Sequence, residues 1–398
     1  MPGVRAPWRS TDQAMTYSSI SDEARLVFLC AGPRGNDSEI ARIARGPLRW
    51  GLVTRIVIAV RAVPVVERRI REALGGRLPT AAAGMGRLAM VEQFELQRME
   101  ERLDETVGAF ESARIPIVLL KGAALARSVY DSVADRPMVD LDVLVPASET
   151  KAARELAMSL GWVWKYDRRY APFFSTHHHL PPLRDGRGTR ALLELHTGLF
   201  PVGHPFELEA ADVFSRAVGA RGYSPGVLVP CPEDHLVYVC GHWVWSHMMN
   251  GGAWRALRDI GALAERGGLD WDLCVARARA TRATSCVYWT LRLARRMAGV
   301  DVPAAALRAM EPPSPGFLLR RLERYFEWQV SEGRVCPSVR LGQWLWSAAL
   351  RPGWSKHGRA RPWRNRELSI WVTDRTTGPS AVRRLAESVG FARAFVRV

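Results

Sequence analysis

Two acidic residues, Asp140 and Asp142, stand two positions apart in the apolar run 138–145. The run favours a β-strand, on which alternate side chains share a face, so both carboxylates are expected to point the same way. Two carboxylates held this close repel each other, and Mg²⁺ or Mn²⁺, which prefer oxygen ligands, would relieve the repulsion. The pattern predicts a metal-binding pair. The alternative is two solvent-facing acids, because short motifs also recur by accident.

A lysine and a glycine, Lys121 and Gly122, follow the short apolar run 117–120, which predicts a buried strand. The residues from 123 to 130 predict a helix, and a helix N-terminus offers backbone N–H groups and a favourable dipole to a phosphate. Only four of the 56 basic residues are lysines, so a lysine here indicates that a compact positive charge is needed. The alternative is a surface lysine beside a turn glycine.

A third acid, Glu194, lies within the apolar run 192–196, which predicts another strand. A lone acid among apolar neighbours is costly unless it has a partner or a metal ion. Carboxylates from two strands, together with a phosphate-binding turn, predict a site for a cation and a phosphate.

Four histidines, His177, His178, His179 and His196, flank this strand and could line the pocket of a second substrate. Imidazole is a good zinc ligand, but consecutive histidines on a strand alternate faces, so at most two of the run could share one ion. For His179 and His196, a substrate contact and an ordinary hydrogen-bonded role both stay open.

A further aromatic group occurs on a predicted helix that begins near residue 235. His235 and His242 are seven residues apart and share one helix face, and Trp243, Trp245 and Trp254 are close in sequence. This group would form either a wall of the substrate pocket or part of the core, and large aromatics are mostly structural.

The predicted fold class is α+β: a small mixed-sheet unit inserted between mainly helical segments. The predicted parts are a helical N-terminal segment (1–114), the sheet-containing unit (115–200), and a helical C-terminal domain with a basic tail (201–398). Predicted helices span 85–113, 123–130, 149–160 with Ser148 as N-cap and Gly161 at the end, 235–249, 254–266, 271–282 and 285–297. Predicted strands span 117–120, 138–145, 162–166 and 191–196.

The apolar content of 47% is that of a globular protein and argues against disorder. The net charge is +16, and residues 351–398 contribute half of it, with eleven Lys/Arg against three acids. Nucleic acid could bind this basic tail, where arginines alternate with Trp344, Trp346, Trp354 and Trp363. A solvated basic face is the preferred interpretation.

The six cysteines are scattered, without the paired spacing of a metal finger, and several lie in apolar surroundings. Free buried thiols are therefore expected, in a reducing, cytoplasmic setting. The most apolar run, 51–66, is too short to span a bilayer and is interrupted by arginines, so no membrane span is expected. The first residues lack the apolar region of a signal peptide.

The motifs together resemble the uncharacterised nucleotidyltransferase family of the DNA polymerase β-like superfamily. The resemblance is specific over 115–200 and looser in the flanks, which include His235, His242, Trp254 and Asp259. Its residues are Leu119-Leu120-Lys121-Gly122-Ala123-Ala124-Leu125, then Tyr130, Arg136 and Asp140-Leu141-Asp142-Val143-Leu144-Val145, then Glu194-Leu195-His196.

The resemblance implies transfer of a nucleoside monophosphate from ATP or another nucleoside triphosphate to an unknown acceptor, with release of pyrophosphate. Mg²⁺ or Mn²⁺ would be the cofactor in a two-metal mechanism. The implied catalytic and metal-binding residues are Asp140, Asp142 and Glu194; the nucleotide-binding residues are Lys121, Gly122, Ala123 and Arg136; acceptor contacts are His179, His196 and His242.

One position departs from the superfamily pattern, because Ala123 stands where a serine usually follows the glycine. The missing hydroxyl puts nucleotide binding, more than metal binding, in doubt. The alternatives are a basic RNA-binding or regulatory module that lost the chemistry, and a toxin-like enzyme that acts on tRNA.

Overall fold

The computed structural model describes residues 20–167, 174–332, 345–346 and 349–350, and the backbone of 354–355 and 358–359. The helices are α1 (Asp22–Leu29), α2 (Asp37–Ala44), α3 (Trp50–Ala59), α4 (Val63–Ala73), α5 (Ala83–Ser112), α6 (Lys121–Ala126), α7 (Thr150–Ser159), α8 (Ala210–Arg216), α9 (Pro232–Gly241), α10 (Ala253–Arg266), α11 (Trp271–Ala280), α12 (Thr284–Ala298), α13 (Ala304–Met310) and α14 (Gly316–Glu332). The strands are β1 (Ile117–Leu119), β2 (Asp140–Leu144), β3 (Trp162–Trp164), β4 (Leu183–Asp185), β5 (Leu192–His196), β6 (Val218–Gly219), β7 (Val227–Val229), β8 (Trp354–Ser355) and β9 (Gly358–Arg359).

Seven strands form one mixed sheet in the order β3-β4-β5-β2-β1-β7-β6. The strand β2 is parallel to β5 and antiparallel to β1, and β1 is parallel to β7. This mixed sheet with helical flanks confirms the predicted α+β class. Two strands, β6 and β7, follow residue 200, so the sheet extends past the predicted end of the unit. The division into domains stays a prediction.

The two faces of the sheet meet different parts of the chain. Leu141 and Val143 on β2 pack in one apolar cluster with Leu103 and Phe110 of α5, which covers that face. Leu144, on the opposite face, belongs to a second cluster that the helices before and after the sheet build together. Because side chains alternate along a strand, Asp140 and Asp142 share the face of Leu144. The acidic residues therefore face the helical body.

The helices before the sheet pack on those after it, although they are distant in sequence. On α10, Ala253, Leu257 and Ile260 recur at helical spacing and are buried. Trp254 of the same helix is fully buried, and its Nε1 donates a hydrogen bond to the carbonyl of Val27 at 2.8 Å. The helical body is thus one core with contributions from both ends of the chain.

Three local predictions were wrong. The helix α6 begins at Lys121 and ends at Ala126, instead of spanning 123–130. Ser148 is not an N-cap, because it lies in a 3₁₀ turn and α7 begins at Thr150. The predicted helix 235–249 is α9 followed by a π-helical turn, His242–Ser246.

The cysteines of the described residues are free, and four of the five are buried, as predicted. Most of the basic tail lies outside the described residues. Trp346, proposed from sequence as a surface for RNA stacking, is buried, and its Nε1 donates a hydrogen bond to the carbonyl of Val244 at 2.8 Å. Within the described ranges, no helix is long and apolar enough to cross a membrane.

Candidate functional site

Strand pairing brings two acids and a histidine together. In the parallel pair β2–β5, Asp142 lies beside Glu194, and His196 follows two residues later on the same face. The His196 Nε2 donates a hydrogen bond to Asp142 Oδ1 at 2.8 Å and lies 3.7 Å from Glu194 Oε2. Each of the three residues offers a ligand atom, and these atoms lie within 4.8 Å of one another. We call these three residues the acidic cluster.

A lysine closes the cluster from the turn after β1. Lys121 adopts a left-handed backbone conformation, with φ of +44°, which is uncommon for a residue with a side chain and concentrates at functional sites. Its Nζ donates to Asp142 Oδ1 at 2.7 Å. Burial by itself would lower the pKa of Lys121, but Asp142, Glu194 and Asp140 together raise that pKa, so the ammonium stays charged.

The two carboxylates of the cluster are ionised. Burial alone would raise the pKa of Asp142, but the Lys121 ammonium and the hydrogen bond from His196 hold that pKa below its ordinary value. Burial also opposes the charge of Glu194, yet His196, Lys121 and His179 lower its pKa to about 2. A carboxylate with such a low pKa is a poor proton acceptor and a good cation ligand.

One buried carboxylate oxygen of the cluster is available to bind a cation. Asp142 is only 1% exposed, and its Oδ2 has no hydrogen-bond partner in the part of the chain that the structure describes. An ionised oxygen left unpaired in the interior is unfavourable unless a positive group meets it. The donor set of two carboxylates and an imidazole fits a divalent cation.

Asp140 lies at the edge of the site. It is half-buried on the same face as Asp142, and its neighbour on β5 is Leu192 instead of an acid. It interacts electrostatically with Lys121 and Glu194 but is not one of the three clustered residues. The predicted pairing of Asp140 with Asp142 on one metal ion therefore stays a prediction, and His196 occupies the third position of the cluster.

The histidine run lies against the cluster. His179 pairs with His196 in an isolated antiparallel bridge, which places both on the acidic face. The His179 Nδ1 donates to the carbonyl of Leu180 at 2.7 Å, and its Nε2 lies 4.0 Å from Glu194 Oε2. The ring of His178 is 5.1 Å from that of His196, and burial lowers the pKa of His178.

The helix α9 and the π-helical turn supply the opposite wall. The hydroxyl of Tyr238 is buried, interacts with Lys121 and Asp142, and has no hydrogen-bond partner among the described residues. His242 stacks edge-on against Tyr238 at 5.9 Å, and burial lowers its pKa well below the ordinary value. The sequence-based prediction missed Tyr238, although it is three residues after His235 and four before His242 on one helix face.

Arg136 forms its ion pair with a residue outside the acidic cluster. Its buried guanidinium makes a bidentate ion pair with Asp259 of α10, with Nε–Oδ1 and Nη2–Oδ2 distances of 2.8 Å, and Tyr130 donates to the same carboxylate. A Cβ added at Gly122 would lie 3.2 Å from both Arg136 Nη1 and Met138 Cβ. The predicted phosphate contact of Arg136 therefore competes with an ion pair that ties the sheet to the helical body, and Gly122 has a packing role.

The position of Ala123 bears on the hydroxyl that the resemblance led us to expect there. It is fully buried and belongs to the apolar cluster on the sheet face opposite the acids. A serine hydroxyl at this position would enter that cluster, and the role of Ala123 in nucleotide binding stays a prediction. The helix α6 has only six residues, which limits the dipole available to a phosphate.

The aromatic group near residue 243 belongs to the core. Trp243, Trp245 and Trp254 are all buried, which confirms the structural interpretation over the pocket-wall interpretation. His235 is also buried beside Asp259 and Arg136, and burial lowers its pKa to about 4.

The comparison with protein families gave one match. The model of a family described as uncharacterised nucleotidyltransferase matches residues 46–299, which include the seven-stranded sheet, the acidic cluster and the helices α3 to α12. Comparison with curated proteins and with solved structures gave no match.

Proposed function

The chain belongs to the uncharacterised nucleotidyltransferase family, and from that premise we propose that it moves a nucleoside monophosphate group from a nucleoside triphosphate to an unknown acceptor. Enzymes of this class generally use a divalent cation, and we propose Mg²⁺ or Mn²⁺ as the minimal requirement. The observation that carries the proposal is the acidic cluster: Asp142 and the half-buried Glu194 are ionised and adjacent, and one buried carboxylate oxygen of Asp142 has no partner among the described residues.

The proposed reaction breaks the phosphoanhydride bond between the α- and β-phosphates and forms a phosphoester bond to a hydroxyl acceptor, or a new phosphoanhydride bond to a phosphate acceptor. A hydroxyl or phosphate oxygen of the acceptor attacks the α-phosphorus of the nucleotide, the bond from the α-phosphorus to the oxygen bridging it to the β-phosphorus breaks, and pyrophosphate leaves. The proton of an attacking hydroxyl would go to solvent, and the lowered pKa of Glu194, about 2, makes that carboxylate a poor acceptor for it. A cation bound by the carboxylates would stabilise the charge on the phosphate oxygens.

We assign each residue of the site a separate role in this reaction. Asp142 and Glu194 would hold the cation, with Asp140 at the edge within electrostatic reach. Lys121 would place its ammonium against the triphosphate once it leaves Asp142. Arg136 acts through Asp259 by fixing the strand β2 to α10.

The acceptor would enter between the sheet and the helical body. Tyr238 and His242, from α9 and the π-helical turn, and His179, from the sheet edge, would contact it there. These groups offer hydroxyl and neutral imidazole contacts, which suit a small molecule, a peptide or a protein side chain.

Pyrophosphate release from ATP, GTP, CTP and UTP with Mg²⁺ or Mn²⁺, in extract of the native host to supply the acceptor, tests the proposal. Release that needs the metal and disappears in a D142N/E194Q variant supports it. If the wild type releases no pyrophosphate from any nucleotide, and it binds RNA without a metal and with an affinity that falls steeply with salt, the RNA-binding alternative is favoured. Labelled nucleotide recovered on tRNA would identify a tRNA-directed enzyme.

A further inference from the structure

The acidic cluster contains nitrogen as well as oxygen donors, and this composition bears on which metal ion it takes. Imidazole ligands suit first-row transition ions, whereas Mg²⁺ prefers oxygen ligands and water. Within the cluster, Asp142 and Glu194 supply carboxylates and His196 supplies an imidazole, and the imidazole of His179 lies beside the cluster, 4.0 Å from Glu194.

The three clustered donors, from Asp142, Glu194 and His196, lie within 4.8 Å of one another, close enough to meet one ion, and His179 lies outside that group with its Nε2 4.0 Å from Glu194. In a tetrahedral site with ligand bonds of about 2.1 Å, neighbouring donor atoms are about 3.4 Å apart. The His196 Nε2 is 2.8 Å from Asp142 Oδ1 and 3.7 Å from Glu194 Oε2, and the same Glu194 oxygen is 4.0 Å from His179 Nε2. The first of these donor–donor distances is shorter than the tetrahedral value and the other two are longer.

The orientation of His179 provides a separate argument. Its Nδ1 lies 2.7 Å from the carbonyl of Leu180, which can only accept, so Nδ1 carries the proton. The Nε2 that faces Glu194 therefore presents its lone pair in the neutral ring. Metal-ligating histidines are typically fixed in this way, by a hydrogen bond from the other ring nitrogen to a carbonyl or carboxylate.

Burial supports a site built for a positive ion. The side chains of Asp142 and His196 are at most 1% exposed, and His179 and Glu194 are 11% and 17% exposed. The Asp142 Oδ2 and the Tyr238 hydroxyl are both buried and have no hydrogen-bond partner among the residues that the structure describes.

We propose that Asp142, Glu194, His196 and His179 form a mixed imidazole–carboxylate site that binds a first-row transition-metal ion in preference to Mg²⁺. This inference deepens the proposed function, on which it rests for the presence of a catalytic cation. The ion would displace from Asp142 both the Lys121 ammonium and the Nε2 proton of His196, which would be released to solvent. It is therefore expected to bind more tightly when a triphosphate is present to receive Lys121.

The test is a titration of the full-length protein with Zn²⁺, Mn²⁺ and Mg²⁺, with and without inorganic triphosphate, for the wild type and for H196N, H179Q and a control, H204N. His204 packs on Phe200 and Phe206, away from the cluster. We expect Zn²⁺ to bind at least about tenfold more weakly to H196N and to H179Q than to the wild type, and equally to H204N. Mg²⁺ should bind the wild type more weakly than Zn²⁺ or Mn²⁺.

A second readout needs no variant. Pulsed electron paramagnetic resonance of Mn²⁺ bound to the wild type should detect coupling to imidazole nitrogen. Cation binding without nitrogen coupling, and with unchanged affinity in both histidine variants, would overturn this inference and leave the proposed function standing. Absence of binding by all three cations, even with triphosphate, would overturn both.

Discussion

The Nζ of Lys121 lies 2.7 Å from Oδ1 of Asp142, so an ammonium already neutralises the carboxylate that a metal ion would bind. The left-handed backbone of Lys121 aims the side chain at this oxygen. A cation and Lys121 therefore compete for the same atom, and a triphosphate would offer the ammonium a second partner.

Replacing Lys121 by methionine is expected to strengthen Mn²⁺ binding in the absence of nucleotide by about tenfold, because the competing ammonium is gone. Nucleotidyl transfer should fall, since the triphosphate loses a cationic contact. Calorimetric titration with Mn²⁺ measures the first effect, with exposed Lys151→Met as the matched control. Weaker Mn²⁺ binding to a folded K121M protein would contradict the competition.

Replacing Arg136 by methionine is expected to lower the free energy of unfolding by about 3–5 kcal/mol, because it leaves Asp259 charged in the interior without its cationic partner. The KM for the nucleotide should change less than twofold. Denaturant unfolding and steady-state kinetics measure the two effects. Arg266→Met, which breaks the exposed pair with Asp131, should cost less than about 1 kcal/mol. A stable R136M protein with a tenfold higher KM would restore the phosphate-binding role.

Replacing Ala123 by serine is expected to leave nucleotide affinity unchanged, although it restores the residue usual in the superfamily. The hydroxyl would enter an apolar cluster, and the free energy of unfolding should fall by about 1–3 kcal/mol. Ala147→Ser, at an exposed position, should change stability by less than about 0.5 kcal/mol. Tighter nucleotide binding by A123S would show that position 123 faces the substrate.

Acid stability depends in part on Glu23, a buried residue in the first turn of α1. The hydrogen bond from the Arg49 guanidinium is the main reason that the pKa of Glu23 falls from 4.5 to about 2 on folding. A lowered pKa contributes stability above pH 4.5, and this contribution is lost as the pH falls towards 2. Glu23→Gln should therefore reduce the loss of stability between pH 5 and pH 2.5 in denaturant titrations. An unchanged loss would contradict this assignment.

The alternation of side chains along a single strand was enough to predict which face of the sheet carries the acidic residues. Asp140 and Asp142 share a face because side chains alternate, and the apolar neighbours of Glu194 indicated a strand. The same reasoning separated the helical flanks from the sheet, because apolar residues recur at helical spacing in helices such as α10.

The full set of residues that form the site could be identified only from the fold. The pairing of β2 with β5 sets Glu194 beside Asp142 and brings His196 into the cluster, and strand register between distant segments cannot be derived from either strand alone. The sequence did not show that Asp259 of α10 pairs with Arg136, and the phosphate contact implied for Arg136 stays a prediction. In the sequence, Tyr238 stands among apolar residues and looks like one of them. Only the folded structure shows that its hydroxyl faces the acids.

The most direct test of the central claim follows the phosphate that is transferred. The wild type and Asp142→Asn are incubated in host extract with Mn²⁺ and the nucleotide that gives the fastest pyrophosphate release, labelled either at the α- or at the γ-phosphate. Nucleotidyl transfer predicts that α-label becomes attached to an acceptor, that γ-label appears in pyrophosphate, and that both fall at least about a hundredfold in D142N. Attachment of γ-label to the acceptor, or transfer undiminished in folded D142N, would contradict it.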